Sequence, residues 1–328
     1  MITVAGPAAY RRVPEKQPPA RAAAARPRET QEEREIRLVR VGLVQMASGD
    51  EPARNLERAI AGVEEAARRG AAVACLPELF RTRYFPQAED PALFDLAEEI
   101  PGPTTRALSE AAARFRVAIV TSVFERRAPG LYHNTAVVLD ADGSLRGAYR
   151  KMHIPHDPLY YEKYYFAPGD TGFVSVATSA GRVAPLVCWD QWFPEAARIA
   201  ALKGAEILVY PTAIGWHHRE KAEWGAAQLD AWRTIQRAHA IANGVFVAAV
   251  NRVGVEGGLE FWGSSFLADP FGRVLASCSE RDFEGGRPEV AVADCALETI
   301  EETRRHWPFF RDRRVDAYGD IVSRHLAP

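Results

Sequence analysis

Residues 185–212, PLVCWDQWFPEAARIAALKGAEILVYPT, hold a strand, a turn, a helix and a second strand in one run. The apolar run that ends at Cys188 predicts a buried strand. Pro194 and Gly204 then predict the first position and the end of a helix. The following run, AEILVYPT, predicts the second strand. This order indicates an α/β protein, and it raises the question of why a thiol lies where the first strand ends.

The same alternation continues on both sides, although hairpins interrupt it. IRLVRVGLVQM (36–46) predicts a strand and PARNLERAIAGVEEAARRG (52–70) an amphipathic helix. HNTAVVLDADGSLRGAYRK (133–151) predicts a hairpin around Asp142-Gly143, and residues 152–173 predict a long irregular loop. Sheets covered by helices are therefore favoured over a purely parallel, doubly wound sheet.

Composition limits the possible functions. The chain has 328 residues, 47% of them hydrophobic and 26% charged, as in a soluble globular protein. A net charge of -2 does not indicate binding to nucleic acid or to an anionic membrane. No apolar run reaches the roughly 18 residues of a membrane helix. We predict a disordered Ala/Pro/Arg-rich extension over residues 1–36, then a single domain over 37–328.

The cysteines and histidines predict neither a disulfide scaffold nor a metal site. Four cysteines (Cys75, Cys188, Cys278 and Cys295) are too few for such a scaffold and lack zinc-ligand spacing. A reducing cytoplasm is the expected location. The histidines that could suggest a metal lie in separate loops; they are His153, His156, His217 and His218. No glycine-rich phosphate loop and no Gly-x-Ser-x-Gly elbow is present.

Three residues each follow an apolar strand and open a loop: Glu78, Lys151 and Cys188. Strand ends are where sheets assemble sites. Singly, each residue is more often a rim charge or inert packing. Together, a thiol can act as a nucleophile, a carboxylate as its base, and an ammonium as a partner for an oxyanion.

A nearby cation and a nearby carboxylate would have opposite effects on the pKa of such a thiol. A cation about 4 Å away stabilises a thiolate by roughly 4 kcal/mol, which would lower the pKa of a thiol by about three. A carboxylate at a similar distance acts in the opposite direction. We therefore expect the two effects to cancel on the resting thiol.

Five longer segments carry a family resemblance. They are LPELF (76–80), YRKMHIP (149–155), YYEKYYFAPGDTGF (160–173), VCWDQWFPEAARIAALKGAEILVYPTAIGW (187–216) and AHAIANGVFVAAVNRVG (238–254). Their order and spacing resemble the nitrilase (carbon-nitrogen hydrolase) superfamily, and within it the N-carbamoylputrescine amidohydrolase branch. The resemblance runs from Val39 to WPFFRDRR (307–314).

The resemblance implies a fold and a site. The fold would be a four-layer αββα sandwich that forms a homo-oligomer, a dimer or larger, and uses no cofactor or metal. The family's Glu-Lys-Cys triad falls on Glu78, Lys151 and Cys188, and its further glutamate on Glu162. Cys188 would attack a carbamoyl carbon, with Glu78 as base, while Lys151 and the Trp189 N–H hold the oxyanion. We expect the substrate contacts to include Tyr84, His156, Asp157, Thr212 and Trp216.

The substrate is open at this stage. N-carbamoylputrescine is favoured because the loop from Lys151 to Gly181 is rich in carboxylates and aromatic residues and lacks arginine. However, His156 stands where the branch has Asp. Arg81 and Arg83 could instead hold a carboxylate, as N-carbamoyl-β-alanine hydrolysis or an ω-amidase would need, although we expect them to be structural. A different class of alternative is an idle binding or scaffold protein on the same fold.

Overall fold

The computed structural model describes residues 37–280 and 286–326. These residues belong to one compact unit that runs from Ile36–Pro328. The predicted disordered extension, residues 1–36, lies outside the described residues, so the proposed division of the chain stays a prediction.

Fifteen strands occur in the described residues. In chain order they are β1 (Leu38–Gln45), β2 (Val73–Cys75), β3 (Ala118–Ala128), β4 (Leu131–Leu139), β5 (Leu145–Arg150), β6 (Val176–Thr178), β7 (Gly181–Pro185), β8 (Ile207–Thr212), β9 (Gly215–His217), β10 (Phe246–Asn251), β11 (Val253–Glu256), β12 (Leu259–Trp262), β13 (Phe266–Ala268), β14 (Val274–Ser277) and β15 (Glu289–Ala296).

Six α-helices accompany them, together with short 3₁₀ turns. The helices are α1 (Pro52–Arg68), α2 (Pro103–Phe115), α3 (Glu162–Tyr165), α4 (Pro194–Leu202), α5 (Lys221–Asn243) and α6 (Glu298–His306). Proline occupies the start of α1, α2 and α4, where its missing N–H has no partner to lose. None of the described helices is long and apolar enough to cross a membrane.

Two six-stranded sheets form the two inner layers. The first has the order β15-β1-β2-β3-β4-β5, and the second β14-β13-β10-β8-β7-β6. Neighbouring pairs β1–β2 and β2–β3 are parallel, as are β7–β8 and β8–β10, while hairpins add antiparallel strands at the edges. A smaller sheet, β11-β12-β9, completes the structure.

The alternation of side chains along each strand builds the layers. In β1, Val41 and Leu43 face the second sheet, whereas Val44 faces the core formed with α1 and α2. In β10, Ala248 joins the core between the sheets, whereas Val247 joins the core formed with α4 and α5. Strands buried on both faces in this way need helices on each outer side. The predicted four-layer αββα sandwich is confirmed.

Two segments have details that the sequence pattern does not show. The predicted irregular loop 152–173 contains the short helix α3, which places Glu162 at its start. The run VFVAAVNRVG (245–254) is divided into β10 and β11 at Arg252. The two pieces then pair in different sheets, because β10 lies beside β8 and β11 pairs with β12.

Candidate active site

Glu78, Lys151 and Cys188 meet between the two sheets. Glu78 follows β2 and Lys151 follows β5, both in the first sheet, whereas Cys188 follows β7 in the second. All three are buried. The sandwich therefore brings a carboxylate and an ammonium from one layer to a thiol from the other.

Lys151 lies between two carboxylates. Its Nζ is 2.8 Å from Glu78 Oε1 and 2.6 Å from Glu162 Oε2, and neither the ammonium nor the carboxylates reach solvent. Burial alone would lower the pKa of Lys151. However, the charges of Glu162 and Glu78 outweigh it and raise the pKa. The side chain is therefore a permanent ammonium.

The two oxygens of Glu78 differ in their contacts. Oε1 accepts from Lys151 Nζ and, at 2.7 Å, from Asn134 Nδ2. Oε2 is buried and has no hydrogen-bond partner among the described residues. Because two donors fix Oε1, the carboxylate cannot easily rotate, and Oε2 is left as the oxygen that can take a proton.

Glu162 is occupied at both oxygens. Oε1 accepts from Tyr84 Oη at 2.7 Å, and Oε2 accepts from Lys151. Burial raises the pKa of Glu162; the Lys151 ammonium lowers it, and the nearby Glu78 charge raises it further, so that the net direction is upward. The pKa of Tyr84 is raised well above its usual value by burial and by Glu162, so this hydroxyl stays a donor.

The thiol lies at a strained corner. Cys188 has φ +41° and begins a 3₁₀ turn, Cys188–Trp192. Buried Asp190 holds this corner by accepting from the Val187 N–H, Tyr149 Oη and His153 Nδ1, at 2.7 to 2.9 Å. A non-glycine residue with positive φ persists only where surrounding contacts determine it, and such residues cluster at active sites.

Burial changes the expected charge balance on Cys188. Its pKa is raised well above the usual value, first by burial and then by Glu78, against the lowering effect of Lys151. Our expectation considered only the two opposite charges and left out the cost of removing a thiolate from water, which is the largest effect on this thiol. The resting side chain is a neutral thiol that donates to the Ala213 carbonyl at 3.8 Å.

A cavity of about 490 Å³ opens onto Cys188. Its walls are largely aromatic and apolar, with Trp189, Trp192, Tyr160 and Trp262 among them. Besides Cys188 and Tyr160, the titratable side chains in its lining are Asp157, Glu220 and His217. Neither lysine nor arginine is among the described residues that line it.

The predicted substrate contacts divide into two groups. Asp157 and Trp189 line the cavity. Tyr84 is outside the lining, and its hydroxyl donates to Glu162. Thr212 is also outside the lining, and its hydroxyl donates to the Tyr210 carbonyl.

The other two are also outside the lining. Trp216 is buried and donates to the Gly225 carbonyl at 2.9 Å. His156 is 40% exposed, with Nε2 3.9 Å from Glu89, so the His-for-Asp difference lies outside the cavity lining.

Sequence reasoning did not single out Asn134 or Glu220. Asn134 is a fully buried amide within an apolar strand, and that mismatch of type and place is the signal that could have found it. Glu220 precedes α5 and lies three residues after His217, but no motif in the sequence marks it, and it was found only because the structure places it in the cavity lining.

Arg81 and Arg83 have carboxylate partners elsewhere. Arg81 Nη1 is 2.8 Å from Glu98 and Arg83 Nε is 2.7 Å from Asp50. Neither arginine lines the cavity. Across residues 37–280 and 286–326, no three His, Cys, Asp or Glu side chains are grouped as metal ligands would be.

Comparison with known proteins agrees with this geometry. The carbon-nitrogen hydrolase family model matches residues 40–305. An N-carbamoylputrescine amidase of Solanum lycopersicum is 40% identical over 88% of this chain and 96% of that protein. A citrullinase of Francisella tularensis is 39% identical over 88% of this chain and 99% of that protein.

A solved structure shares the fold throughout. It is a carbon-nitrogen hydrolase from Helicobacter pylori G27, with a TM-score of 0.84 and 46% identity, covering 88% of this chain and all of that one. The αββα sandwich, the thiol between its sheets and these likenesses lead to one conclusion: the chain belongs to the carbon-nitrogen hydrolase family and is a hydrolase of non-peptide C–N bonds.

Proposed function

We propose that this amidohydrolase cleaves N-carbamoyl amines, and that N-carbamoylputrescine is its substrate in polyamine synthesis. The observation that carries the proposal is the charge of the cavity. Asp157 and Glu220 line it, and no described lysine or arginine does. A distal ammonium would find carboxylates and aromatic faces there, whereas a distal carboxylate would find no cation.

The proposed mechanism begins with the neutral thiol. Cys188 attacks the carbamoyl carbon while Glu78 Oε2 takes the thiol proton, so that no free thiolate has to exist in the buried site. Glu78 is favoured as the base because Oε2 has no partner among the described residues, whereas Glu162 accepts hydrogen bonds at both oxygens. The oxygen of the tetrahedral intermediate is held by the Lys151 ammonium and the Trp189 N–H.

The remaining steps return the enzyme to its starting state. The intermediate expels the amine or ammonia, which takes the proton held by Glu78, and leaves an acyl group on Cys188. Water then attacks this thiocarbamate and gives a proton to Glu78, and the departing sulfur takes that proton back, which restores the thiol and the carboxylate. Decomposition of the carbamate completes the reaction. Overall, one N-carbamoylputrescine and one water yield putrescine, ammonia and carbon dioxide.

The nucleophile is tested by Cys188→Ala, with Cys278→Ala as the matched control. Both thiols are buried, but Cys278 contacts Glu289 rather than Glu78 or Lys151. Ammonia release is expected to disappear in the first variant and to persist in the second. Turnover by a folded Cys188→Ala protein would remove the nucleophile from the proposal, and an inactive parent would favour the idle scaffold.

The substrate is tested by a panel. We expect kcat/KM near pH 8 to be at least tenfold higher for N-carbamoylputrescine than for N-carbamoyl-β-alanine, citrulline or an ω-amide with a carboxylate. Citrulline is included because a citrullinase is among the relatives. Glu220→Gln should raise KM for the diamine several-fold, whereas Glu223→Gln, on the exposed first turn of α5, should not. The reverse substrate order would contradict the proposal.

The proposed location is the cytoplasm. All four cysteines are free, and Cys188 must stay reduced to act as a nucleophile. A homo-oligomer, a dimer or larger, is proposed from the family resemblance alone and is checked by sedimentation of the purified protein.

A further inference from the structure

The segment 78–84 carries site residues at both ends. The side chain of Glu78 meets Lys151, and the side chain of Tyr84 meets Glu162. Between them the backbone turns sharply, since Leu79 has φ +48° although it is not glycine. Such a conformation is unfavourable for an L-residue, so the contacts around the segment must hold it in place.

A single buried guanidinium provides three of these contacts, and Ser48, Asn55, Ser122 and Thr212 provide one each. Arg252 follows β10 and is completely buried. Its Nε donates to the Glu78 carbonyl at 3.1 Å, and its Nη2 donates to the carbonyls of Leu79 and Thr82, the latter at 2.8 Å. Three carbonyls of one short segment thus converge on one side chain.

Glu256 completes the contact. Its carboxylate pairs with Arg252 Nη1 at 2.8 and 3.0 Å, and its Oε2 also accepts the Tyr84 N–H at 2.6 Å. The pair therefore binds the segment at its first carbonyl and at its last N–H. Neither Arg252 nor Glu256 lines the cavity.

We propose that the Arg252–Glu256 ion pair is a positioning device for the base, which fixes the backbone of segment 78–84 and so aims Glu78 Oε2 at the reacting groups. The inference rests on the proposed role of Glu78. It makes Arg252 and Glu256 positioning residues that act through Glu78 without touching the substrate.

The alternative is a general stabilising role. A buried ion pair is weak evidence for stability, because its attraction is largely offset by the loss of water. The two roles differ in what a lysine does at position 252. Lysine keeps the charge and can pair with Glu256, but it lacks the planar fork that reaches three carbonyls at once.

The first measurement is therefore Arg252→Lys. We expect kcat to fall at least thirtyfold while KM stays within threefold, because the cavity walls are not part of segment 78–84. Arg304→Lys is the matched control. Arg304 donates two hydrogen bonds from its guanidinium to the Asn243 carbonyl, far along the chain from any site residue, and its replacement should leave kcat within twofold.

A double-mutant cycle with Glu78→Gln tests whether Arg252 affects kcat through Glu78. If Arg252 acts by placing the base, its replacement should cost at least tenfold less in kcat when the base is already absent. Slow ammonia release by the Glu78→Gln proteins is followed over hours at high enzyme concentration. A cost that differs by less than tenfold between the two backgrounds overturns the positioning role, even if Glu78→Gln itself is nearly inactive.

The same cycle tests the proposed role of Glu78 as the base independently of Arg252. If Glu78→Gln alone keeps the parent's turnover, Glu78 is not the base, and a route through it is overturned as well. Near-UV circular dichroism shows whether each variant is folded. Where Arg252→Lys does not fold, Glu256→Gln replaces it in the same cycle with the same criterion, since it keeps the shape of the side chain and loses only the charge.

Discussion

The Lys151 ammonium pairs with both Glu78 and Glu162 and is not exposed to water. Removing one member of such a buried group leaves an uncompensated charge, which typically costs about 3–5 kcal/mol. The cation therefore makes the burial of two carboxylates possible, and in the proposed mechanism it also stabilises the oxyanion. Any substitution must be judged on both.

Lys151→Arg is expected to be nearly as damaging as Lys151→Ala. The guanidinium is larger and planar, and it cannot occupy the place of a point charge between two carboxylates 2.6 and 2.8 Å from Nζ. Loss of an oxyanion donor costs about 3 kcal/mol, or roughly a hundredfold in kcat. The control is Lys203→Arg on the exposed end of α4, which should keep kcat within twofold. A fall of less than tenfold in Lys151→Arg would argue against this role.

Glu78→Gln should lower the pKa of the Cys188 thiol. Burial and the negative charge of Glu78 both raise that pKa, and Lys151 lowers it. The substitution removes one of the raising effects, which also include the Glu162 charge, and keeps the lowering effect of Lys151, so the thiolate should appear at lower pH than in the parent. Absorbance at 240 nm as a function of pH, with Cys188→Ala as blank, measures the change. An unchanged or higher thiol pKa would show that the Glu78 charge does not act on Cys188.

The corner at Cys188 depends on the elements that meet there. Asp190, two residues beyond the thiol, accepts hydrogen bonds from Tyr149 at the end of β5 and from His153 in the loop that follows. The His153 ring stacks on Phe193 with 3.7 Å between ring centroids and 5° between planes. The thiol turn of the second sheet is thereby attached to the segment of the first sheet that carries Lys151.

Helix α1 approaches the first sheet closely through Gly62. A Cβ at this position would lie 2.3 Å from Val44 Cγ1 and 3.2 Å from Pro288 Cβ. Alanine favours a helix over glycine by about 1 kcal/mol, but overpacking a core costs about 1–3 kcal/mol. We expect Gly62→Ala to lower the free energy of unfolding by about 1 kcal/mol, as measured with urea.

The control for this substitution is Gly319→Ala. A Cβ there has no atom within 4 Å, so stability should change by less than about 0.5 kcal/mol. A Gly62→Ala protein more stable than the parent would mean that α1 can move away from β1 at little cost.

The sandwich as a unit connects residues that are distant in sequence. Glu78 and Lys151 are 73 positions apart, and Arg252 contacts the Glu78 carbonyl across 174 positions. The contact between Glu78 and Lys151 joins two strand ends of the first sheet, whereas Arg252 and Cys188 come from the second sheet, so the complete site requires both sheets to be packed. Activity should be lost together with the fold in a denaturant titration, because no local segment contains the site.

Removal of residues 1–34 should leave kcat/KM and the melting temperature unchanged. The segment is rich in Ala, Pro and Arg, and it offers little apolar surface to bury. The first described strand, β1, is already paired on both sides, with β15 and β2. Differential scanning calorimetry of both proteins makes the comparison, and a fall of several degrees would show that the extension packs on the domain or on a second copy.

The local sequence pattern was sufficient to predict several strands and helices and the positions of three site residues. Apolar runs ended by Gly and Pro predicted several strands and helices, because proline fixes φ and removes an N–H, whereas glycine permits positive φ, and both therefore end regular elements. The positions of Glu78, Lys151 and Cys188 at strand ends followed from the same pattern. The four-layer order came from the family resemblance, since alternating strands and helices also fit other α/β arrangements.

Only the tertiary structure decided the electrostatics and the shape of the site. Burial raises the pKa of Cys188, and no count of nearby charges in the sequence predicts how completely water is excluded. Asn134, Glu220 and Arg252 reach the site or its supports from strands, helix ends and hairpins far apart in the chain. A sequence shows which residues end a strand, but which ends face each other depends on how the two sheets pack, and that depends on every strand at once.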